Sequence, residues 1–223
     1  MDFWRYNSMW FEEVPEDQYV HLNLKEDKIE EIKSQYLEYL VLWHHKKSKS
    51  GNFNDIPDSL RYLELNWSTI QNFAGVEKLS NLKRLDLHYC TKLQDDSGIS
   101  KIKNTLEILE INNSRKLVPN DLLELNNLRV LRLNACGNLE NLSFLCHFPK
   151  LISFAFVDTN VLDGDLTPLI DHPTIREAGF MNKRHYNYKY ETLENLLEEK
   201  NGGKPYRDMI RKGKYETFRY IDG

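Results

Sequence analysis

The sequence has few cysteines, no long apolar run and no recognisable leader. Its 223 residues contain three cysteines, Cys90, Cys136 and Cys146. That number is odd and too small for a disulfide scaffold, so we expect a reducing compartment. No apolar run approaches the ~18 residues of a membrane helix, and the polar, acidic start MDFWRYNSMWFEEVPEDQ does not resemble a signal peptide. These absences predict a cytoplasmic protein without a membrane partner.

Motifs for catalysis and metal binding are also lacking. The sequence contains no glycine-rich phosphate loop, no nucleophile elbow and no HExxH motif. His44 and His45 are adjacent, and neighbours on a strand point to opposite faces, so we interpret them as a surface pair rather than as metal ligands. Cys136 and Cys146 have no CxxC partner for zinc. We therefore predict that the protein is not an enzyme and holds no metal or cofactor.

Charge is low overall and unevenly distributed along the chain. The formal net charge of −4 disfavours a nucleic-acid partner. Residues 1–31 hold nine acidic against three basic side chains, whereas residues 200–223 hold seven basic against three acidic ones. Either the two ends are solvated caps, or the surface is polarised and steers a charged partner.

One pattern, Leu-x-x-Leu-x-Leu, recurs along most of the chain. Its copies follow one another at steps of 22 to 24 residues, and the last two are degenerate. They begin at Leu37, Leu60, Leu82, Leu106, Leu128, Leu151 and Ile175, and residues 19–24 form a shortened unit before them. Alternating leucines predict a short strand with one buried face, and a single unit cannot bury that face alone. The return segments carry apolar residues about three apart, which favours 3₁₀ or short irregular helices.

This chain resembles the leucine-rich repeat proteins, in the short bacterial, internalin-like form. The resemblance covers residues 37–180 and implies an α/β repeat fold: a solenoid with a curved parallel sheet on the concave side, short helices on the convex side and a cap at each end. The family usually has Asn three residues after the third apolar position. Here that position holds Ser68, Cys90, Ser114, Cys136 and Thr159, which we expect to satisfy backbone groups where the chain leaves the strand.

The repeats divide the chain into three regions. Residues 1–36 are predicted to form an N-terminal cap with a short helix over 25–36, and residues 37–182 to form about seven repeats. Residues 183–223 are predicted to form a C-terminal helical cap, with its helix over 191–200, and a basic tail. Residues 206–221 of this tail either fold back or dangle.

The outward positions of the strands define the candidate binding surface. Glu64, Asp86 and Glu110 occupy one column on consecutive strands, and stacked carboxylates repel one another. Arg84 and Arg132 compensate this charge, or a cationic partner does. Large side chains cluster on the N-terminal half of the same face, where they either anchor a partner or pack on one another and beneath a cap. These are Tyr39, Trp43, Tyr62, Trp67, His88 and Tyr89, extended by Ile108.

These observations predict a non-enzymatic, monomeric module that binds a partner protein through its concave face, and the resemblance implies the same. The partner is expected to be basic if it neutralises the carboxylate column. Two alternatives remain open. One is an immunity or inhibitor protein that masks a basic toxin or enzyme, and the other is an extracellular adhesin-like protein or glycan binder.

Overall fold

Eight short strands form one parallel sheet in chain order. The structure is a computed structural model that describes residues 2–32, 36–46, 52–117 and 119–221. The strands of the sheet are β1 (Tyr19–Asn23), β2 (Tyr39–Trp43), β3 (Tyr62–Asn66), β4 (Arg84–His88), β5 (Ile108–Asn112), β6 (Val130–Asn134), β7 (Ser153–Ala155) and β8 (Glu177–Gly179). Within the described residues, no helix is long and apolar enough to cross a membrane.

The repeat pattern places its leucines in the core. On β3, Leu63 and Leu65 point inward and are fully buried, while Tyr62 and Glu64 lie on the opposite, concave face. The return segments form single 3₁₀ turns, as their spacing predicts, at Val76–Lys78, Ile99–Ile102, Asp121–Glu124 and Ser143–His147, and one short helix, α1, at Thr167–Asp171. Their apolar side chains meet those of the strands in one continuous core.

The chain leaves strands β2 to β7 through a residue with a left-handed backbone. Within the described residues, six non-glycine residues have positive φ, and each lies just after one of these strands: His44, Trp67, Tyr89, Asn113, Ala135 and Asp158. The next position is the one where the family usually has Asn. Thr159 Oγ1 donates to the carbonyl of Leu133 at 2.6 Å and accepts the N–H of Cys136 at 2.9 Å. The expected structural role of this position is therefore observed.

Cysteines at that position are structural as well. The Cys90 Sγ lies 3.6 Å from the carbonyl oxygen of Leu65 and 3.7 Å from that of His88. Burial raises the pKa of the Cys90 thiol to about 12 and that of Cys136 to about 11. Both thiols are therefore protonated at neutral pH and weakly nucleophilic.

At the C-terminal end, a helix covers the last strand. The helix predicted over 191–200 is observed as α2 (Tyr190–Asn201), and it ends at Gly202, whose φ of 56° is left-handed. Leu193 and Leu197 of α2 are buried in the common core. Residues 183–190, a run of basic and aromatic side chains directly before α2, also pack into the cap, because Tyr186 is buried and its ring lies 6.0 Å from that of Phe180.

The helix predicted over 25–36 is wrong. That segment contains only a 3₁₀ turn at Ile29–Glu31, and residues 33–35 lie outside the described residues. The physical reason is that β1 is itself a strand of the solenoid, so the following chain returns through one tight turn like the other coils. The carboxylate of Asp27 accepts the N–H of Asn23 at 2.7 Å and holds the chain in a turn directly after β1.

Both ends of the chain lie on the concave side. Residues 206–221 fold back rather than dangle, as an antiparallel hairpin of β9 (Arg207–Lys212) and β10 (Tyr215–Tyr220). Tyr6 forms a β-bridge with Arg219, and the N–H of Asn7 donates to the carbonyl of Phe218 at 2.8 Å. The N-terminal aromatic residues therefore cover the concave face and not the end of the solenoid.

Candidate binding surfaces

The strands align the outward residues in the columns that the repeat predicts. Glu64 pairs in register with Asp86, Asp86 with Glu110, and Glu110 with Arg132. Tyr39, Tyr62, Arg84 and Ile108 form the neighbouring column in the same way. The columns were predictable because coils of nearly constant length stack without a shift in register.

Most of the neighbouring column is closed to a partner. Tyr39 and Tyr62 are each only 1% exposed, and Ile108 is equally buried. Phe3 packs its ring edge-on against Tyr39 with centroids 6.2 Å apart, and Phe11 contacts Tyr62 at 5.8 Å. The expectation that these three residues present an open binding surface is therefore wrong. The chain's own N-terminal segment covers Tyr39 and Tyr62, and Ile108 is buried in one apolar cluster with them, Trp4 and Tyr220.

Arg84 and Asp86 form a buried ion pair beneath the same segment. The Arg84 Nη2 lies 2.8 Å from Asp86 Oδ2, and their side chains are 4% and 3% exposed. Arg84 Nη1 donates to the carbonyl of Tyr6 at 2.5 Å. Burial opposes the charge of Arg84, but the carboxylate of Asp86, together with Tyr62 and Glu110, outweighs burial and raises the pKa of the guanidinium. Both residues were expected to face a partner, and the structure instead gives them a structural role.

Partners within the chain also engage the other two carboxylates of the column. Glu64 accepts hydrogen bonds from the Tyr62 hydroxyl and the Asn66 amide, both at 2.6 Å. Glu110 pairs with Arg132 Nη1 at 2.9 Å. Of the two explanations for the carboxylate column, compensation by Arg84 and Arg132 is the arrangement observed for Asp86 and Glu110.

One cluster has the composition of a metal site. Glu64, Asp86 and His88 bring possible donor atoms within 4.8 Å of one another, and this is the one such group within the described residues. However, Glu64 already accepts two hydrogen bonds, and Asp86 lies against the positive charge of Arg84. A nearby guanidinium repels a cation, so these residues fit a structural cluster and do not fit a metal centre.

The C-terminal hairpin covers the next part of the concave face. Arg132 Nη2 donates to Asn7 Oδ1 at 2.6 Å and to the Tyr220 hydroxyl at 3.3 Å, so one side chain joins the sheet to both ends of the chain. Beyond it the hairpin leaves a polar recess of about 400 Å³, lined by Glu110, Arg132, Ser153, Glu177 and Tyr220 among others.

The aromatic ladder, as we call it, consists of four aromatic side chains that lie outside this cover: Trp43, His44, Trp67 and Tyr89. The ring centroids of Trp67 and Tyr89 are 4.7 Å apart, those of His44 and Trp67 are 5.9 Å apart, and those of Trp43 and Trp67 are 5.6 Å apart. Trp67 is 42% and Tyr89 45% exposed, while Trp43, His44 and the adjacent His88 are half-buried. Trp43, Trp67, His88 and Tyr89 are thus the predicted aromatic contacts that stay accessible.

The residues of this surface can be recognised in the sequence only when the backbone conformation after each strand is known. Three residues of the aromatic ladder have positive φ and directly follow β2, β3 and β4: His44, Trp67 and Tyr89. The N–H of Trp67 donates to the carbonyl of His88, and the N–H of Tyr89 donates to that of Asn112. The residues that directly follow these strands therefore extend the hydrogen-bonded register of the sheet by one position. Their side chains lie one above another, as the side chains of the strands do.

His45 is also placed differently from the prediction. It is fully buried, with Nδ1 3.1 Å from Ser68 Oγ and Nε2 3.2 Å from Asp55 Oδ1, so the interpretation of a surface pair is wrong for this residue. Burial raises the pKa of Asp55, but the hydrogen bond with His45, the charges of His45 and Lys78 and a backbone hydrogen bond together outweigh burial and leave the pKa below its ordinary value. His45 is a structural link between two coils.

A parallel sheet of stacked short coils with 3₁₀ returns is the leucine-rich repeat fold, and a solved structure supports this assignment. Internalin C2 of Listeria monocytogenes superposes with a TM-score of 0.53 at 20% identity, over 70% of this chain and 68% of internalin C2. Internalin F of the same organism gives a TM-score of 0.49 at 15% identity, over 71% of this chain and 47% of its own. No family model matches the sequence, and no curated protein matches it.

Proposed function

We propose that this protein is a non-enzymatic, protein-binding repeat module that recognises its partner through the aromatic ladder rather than through the floor of the concave face. An internalin-like leucine-rich repeat fold supports a role in protein interaction in general. The observation that carries the more specific proposal is that Trp67 and Tyr89 are bulky, exposed and held at positive φ.

The left-handed backbone conformation of Trp67 and Tyr89 costs folding free energy. A non-glycine residue in the left-handed region destabilises the fold by roughly 1–2 kcal/mol. Asn tolerates this region better than an aromatic residue does. The equivalent exit position of the next coil is indeed Asn113, with φ of 60°. Strained residues cluster at functional sites, so aromatic rings at this position are consistent with selection for binding.

The chemistry of Trp and Tyr suits a protein interface. Each combines a large apolar ring with one hydrogen-bonding group, and both are enriched among the residues that dominate binding energy. The rings of Trp67 and Tyr89 are tilted by 30° with their centroids 4.7 Å apart, so each ring partly obstructs access to the face of the other. That geometry favours contact along the ring edges and disfavours the flat stacking on a sugar that the glycan-binding alternative requires.

The inhibitor alternative has less support. It relied on the carboxylate column to attract a basic toxin or enzyme. Each carboxylate now has a partner within the chain: Tyr62 and Asn66 for Glu64, Arg84 for Asp86, and Arg132 for Glu110. A basic partner would have to displace these contacts, so the proposal does not require one.

Asparagine substitutions test the proposal without damaging the fold. The double variant Trp67→Asn/Tyr89→Asn removes both exposed rings and supplies a residue that suits positive φ. Met181→Ala is the matched control, because Met181 is 55% exposed and lies after β8, away from the ladder.

Partner capture from cells that produce the protein, quantified by mass spectrometry, is the measurement. A photo-crosslinking amino acid at position 89 identifies the proteins that touch the ladder. We expect the double variant to lose at least about tenfold in capture of the crosslinked protein, the scale of a binding hot spot, while Met181→Ala retains it. Equal capture by all three proteins at unchanged melting temperature would show that the ladder is not the interface.

A further inference from the structure

The C-terminal hairpin that lies over the concave side is basic, although the column beneath it is acidic. Residues 204–221 contain six basic and two acidic side chains, and this segment forms the hairpin that lies over the sheet. The acidic N-terminal segment lies beside this hairpin, and Glu13 pairs with Lys212, so the positive charge is a local feature of the hairpin.

The hairpin has an open edge. On one side, β10 pairs with the N-terminal segment through Tyr6 and Asn7. On the other side, β9 has β10 as its single strand partner within the described residues. A strand with one free side presents a row of backbone N–H and C=O groups that can pair with another chain.

The alternation of hydrogen bonds along the hairpin identifies which backbone N–H and C=O groups of β9 point away from β10. The N–H of Ile221 donates to the carbonyl of Tyr206 at 3.1 Å, and bonded pairs alternate along an antiparallel ladder. Asp208, Ile210 and Lys212 therefore bond to β10, whereas the backbone groups of Arg207, Met209 and Arg211 point outward. The side chains of these last three residues are also exposed.

The side chains along this edge specify the charge of a matching strand. Arg211 pairs with Glu216 at 2.5 Å, but the two side chains are 73% and 46% exposed. Arg207 lies 3.6 Å from Glu177 in a similarly exposed pair. Exposed pairs contribute little stability and exchange easily, whereas opposite charges directly across two strands attract one another. Met209, between the two arginines, is 50% exposed and offers an apolar contact.

We propose that the open edge of β9 takes an extended acidic segment of a partner protein by strand addition. The added strand carries carboxylates opposite Arg207 and Arg211 and an apolar side chain opposite Met209. Main-chain hydrogen bonds supply affinity in this mode of recognition, and alternate side chains supply specificity. This surface is distinct from the aromatic ladder, so it goes beyond the proposed function and does not depend on it.

Amide hydrogen exchange provides a residue-specific test. The probe is the blocked peptide acetyl-Glu-Thr-Leu-Thr-Glu-amide, and the matched control peptide replaces both Glu by Lys. We expect the acidic peptide to slow exchange at Arg207, Met209 and Arg211 and to leave Asp208 and Ile210 unchanged, because the latter two already bond to β10. Attraction between charges alone would not produce this alternation.

Two variants distinguish the contribution of backbone pairing to peptide binding from that of charge. Met209→Pro removes one outward N–H, is tolerated because proline fits edge strands, and should abolish the protection. Arg207→Gln/Arg211→Gln should weaken it at least about tenfold, whereas the exposed control pair Lys92→Gln/Lys101→Gln should not.

Three results would overturn the proposal. The first is uniform protection along the hairpin or none at all, and the second is equal protection by the acidic and the basic peptide. The third is tight binding of a single-stranded oligothymidylate with no alternation in exchange, which would indicate that the basic surface recognises phosphates instead.

Discussion

Replacing Arg84 by methionine should strongly destabilise the protein. The side chain of Arg84 contacts both carboxylate oxygens of Asp86 at 2.8–3.0 Å, donates to the carbonyl of Tyr6 and lies over the ring of Tyr62. In Arg84→Met the charge of Asp86 stays buried, and the Tyr62 hydroxyl, 3.1 Å from Asp86 Oδ2, is left to donate a hydrogen bond to it. Breaking a buried pair in this way costs about 3–5 kcal/mol of unfolding free energy.

The double variant Arg84→Met/Asp86→Leu isolates the cost of the unpaired charge. It removes both charges and leaves mainly the lost hydrogen bond to the Tyr6 carbonyl, which is worth about 1–3 kcal/mol. We therefore expect the double variant to be more stable than the single variant Arg84→Met.

Equilibrium unfolding in urea at neutral pH measures both effects, with tryptophan fluorescence and circular dichroism as independent probes. Limited proteolysis reports whether residues 2–15 detach from the sheet. The reasoning would be refuted if Arg84→Met cost less than about 1 kcal/mol, or if the double variant were as unstable as the single one.

Three further outcomes are expected. A thiol reagent should modify the exposed Cys146 of the native protein rapidly and Cys90 only after unfolding. Peptide mass spectrometry measures both reactions, and rapid modification of Cys90 would contradict its burial. Burial lowers the pKa of His172 below the ordinary histidine value of 6.5. The unfolded chain therefore binds more protons, and stability should fall as the pH drops below that value; melting curves of His172→Gln should depend less on pH in this range. Gly164→Ala should destabilise more than Gly213→Ala in urea unfolding, because both residues have positive φ but only at Gly164 would the new Cβ meet a carbonyl, that of His185, at 2.3 Å; equal losses would contradict the clash.

Local periodicity was enough to predict the coils and the columns. Leu63 and Leu65 face inward and Glu64 faces outward because a strand alternates, and constant coil length carries that alternation from one repeat to the next. The C-terminal helix was also predictable, since its apolar spacing and the Gly202-Gly203 pair are local signals.

Features that depend on distant contacts could not be predicted. The sequence does not indicate that Phe3 and Phe11 lie against Tyr39 and Tyr62, because aromatic residues near a terminus suit either the end of the solenoid or its concave face. The strain at Trp67 was equally hidden, since periodicity specifies which residues follow a strand but not the sign of their φ.

The meeting of the two chain ends changes how the repeats share stability. In a simple solenoid each coil contacts its neighbours, so terminal coils can fray independently of the middle. Here the N–H of Ser8 donates to the Thr217 hydroxyl across a sequence separation of 209 residues, and Arg132 in the sixth strand binds both Asn7 and Tyr220. Fraying at either end must break contacts held by the other. We therefore expect the coils to unfold as one cooperative unit, closer to a closed ring than to an open stack.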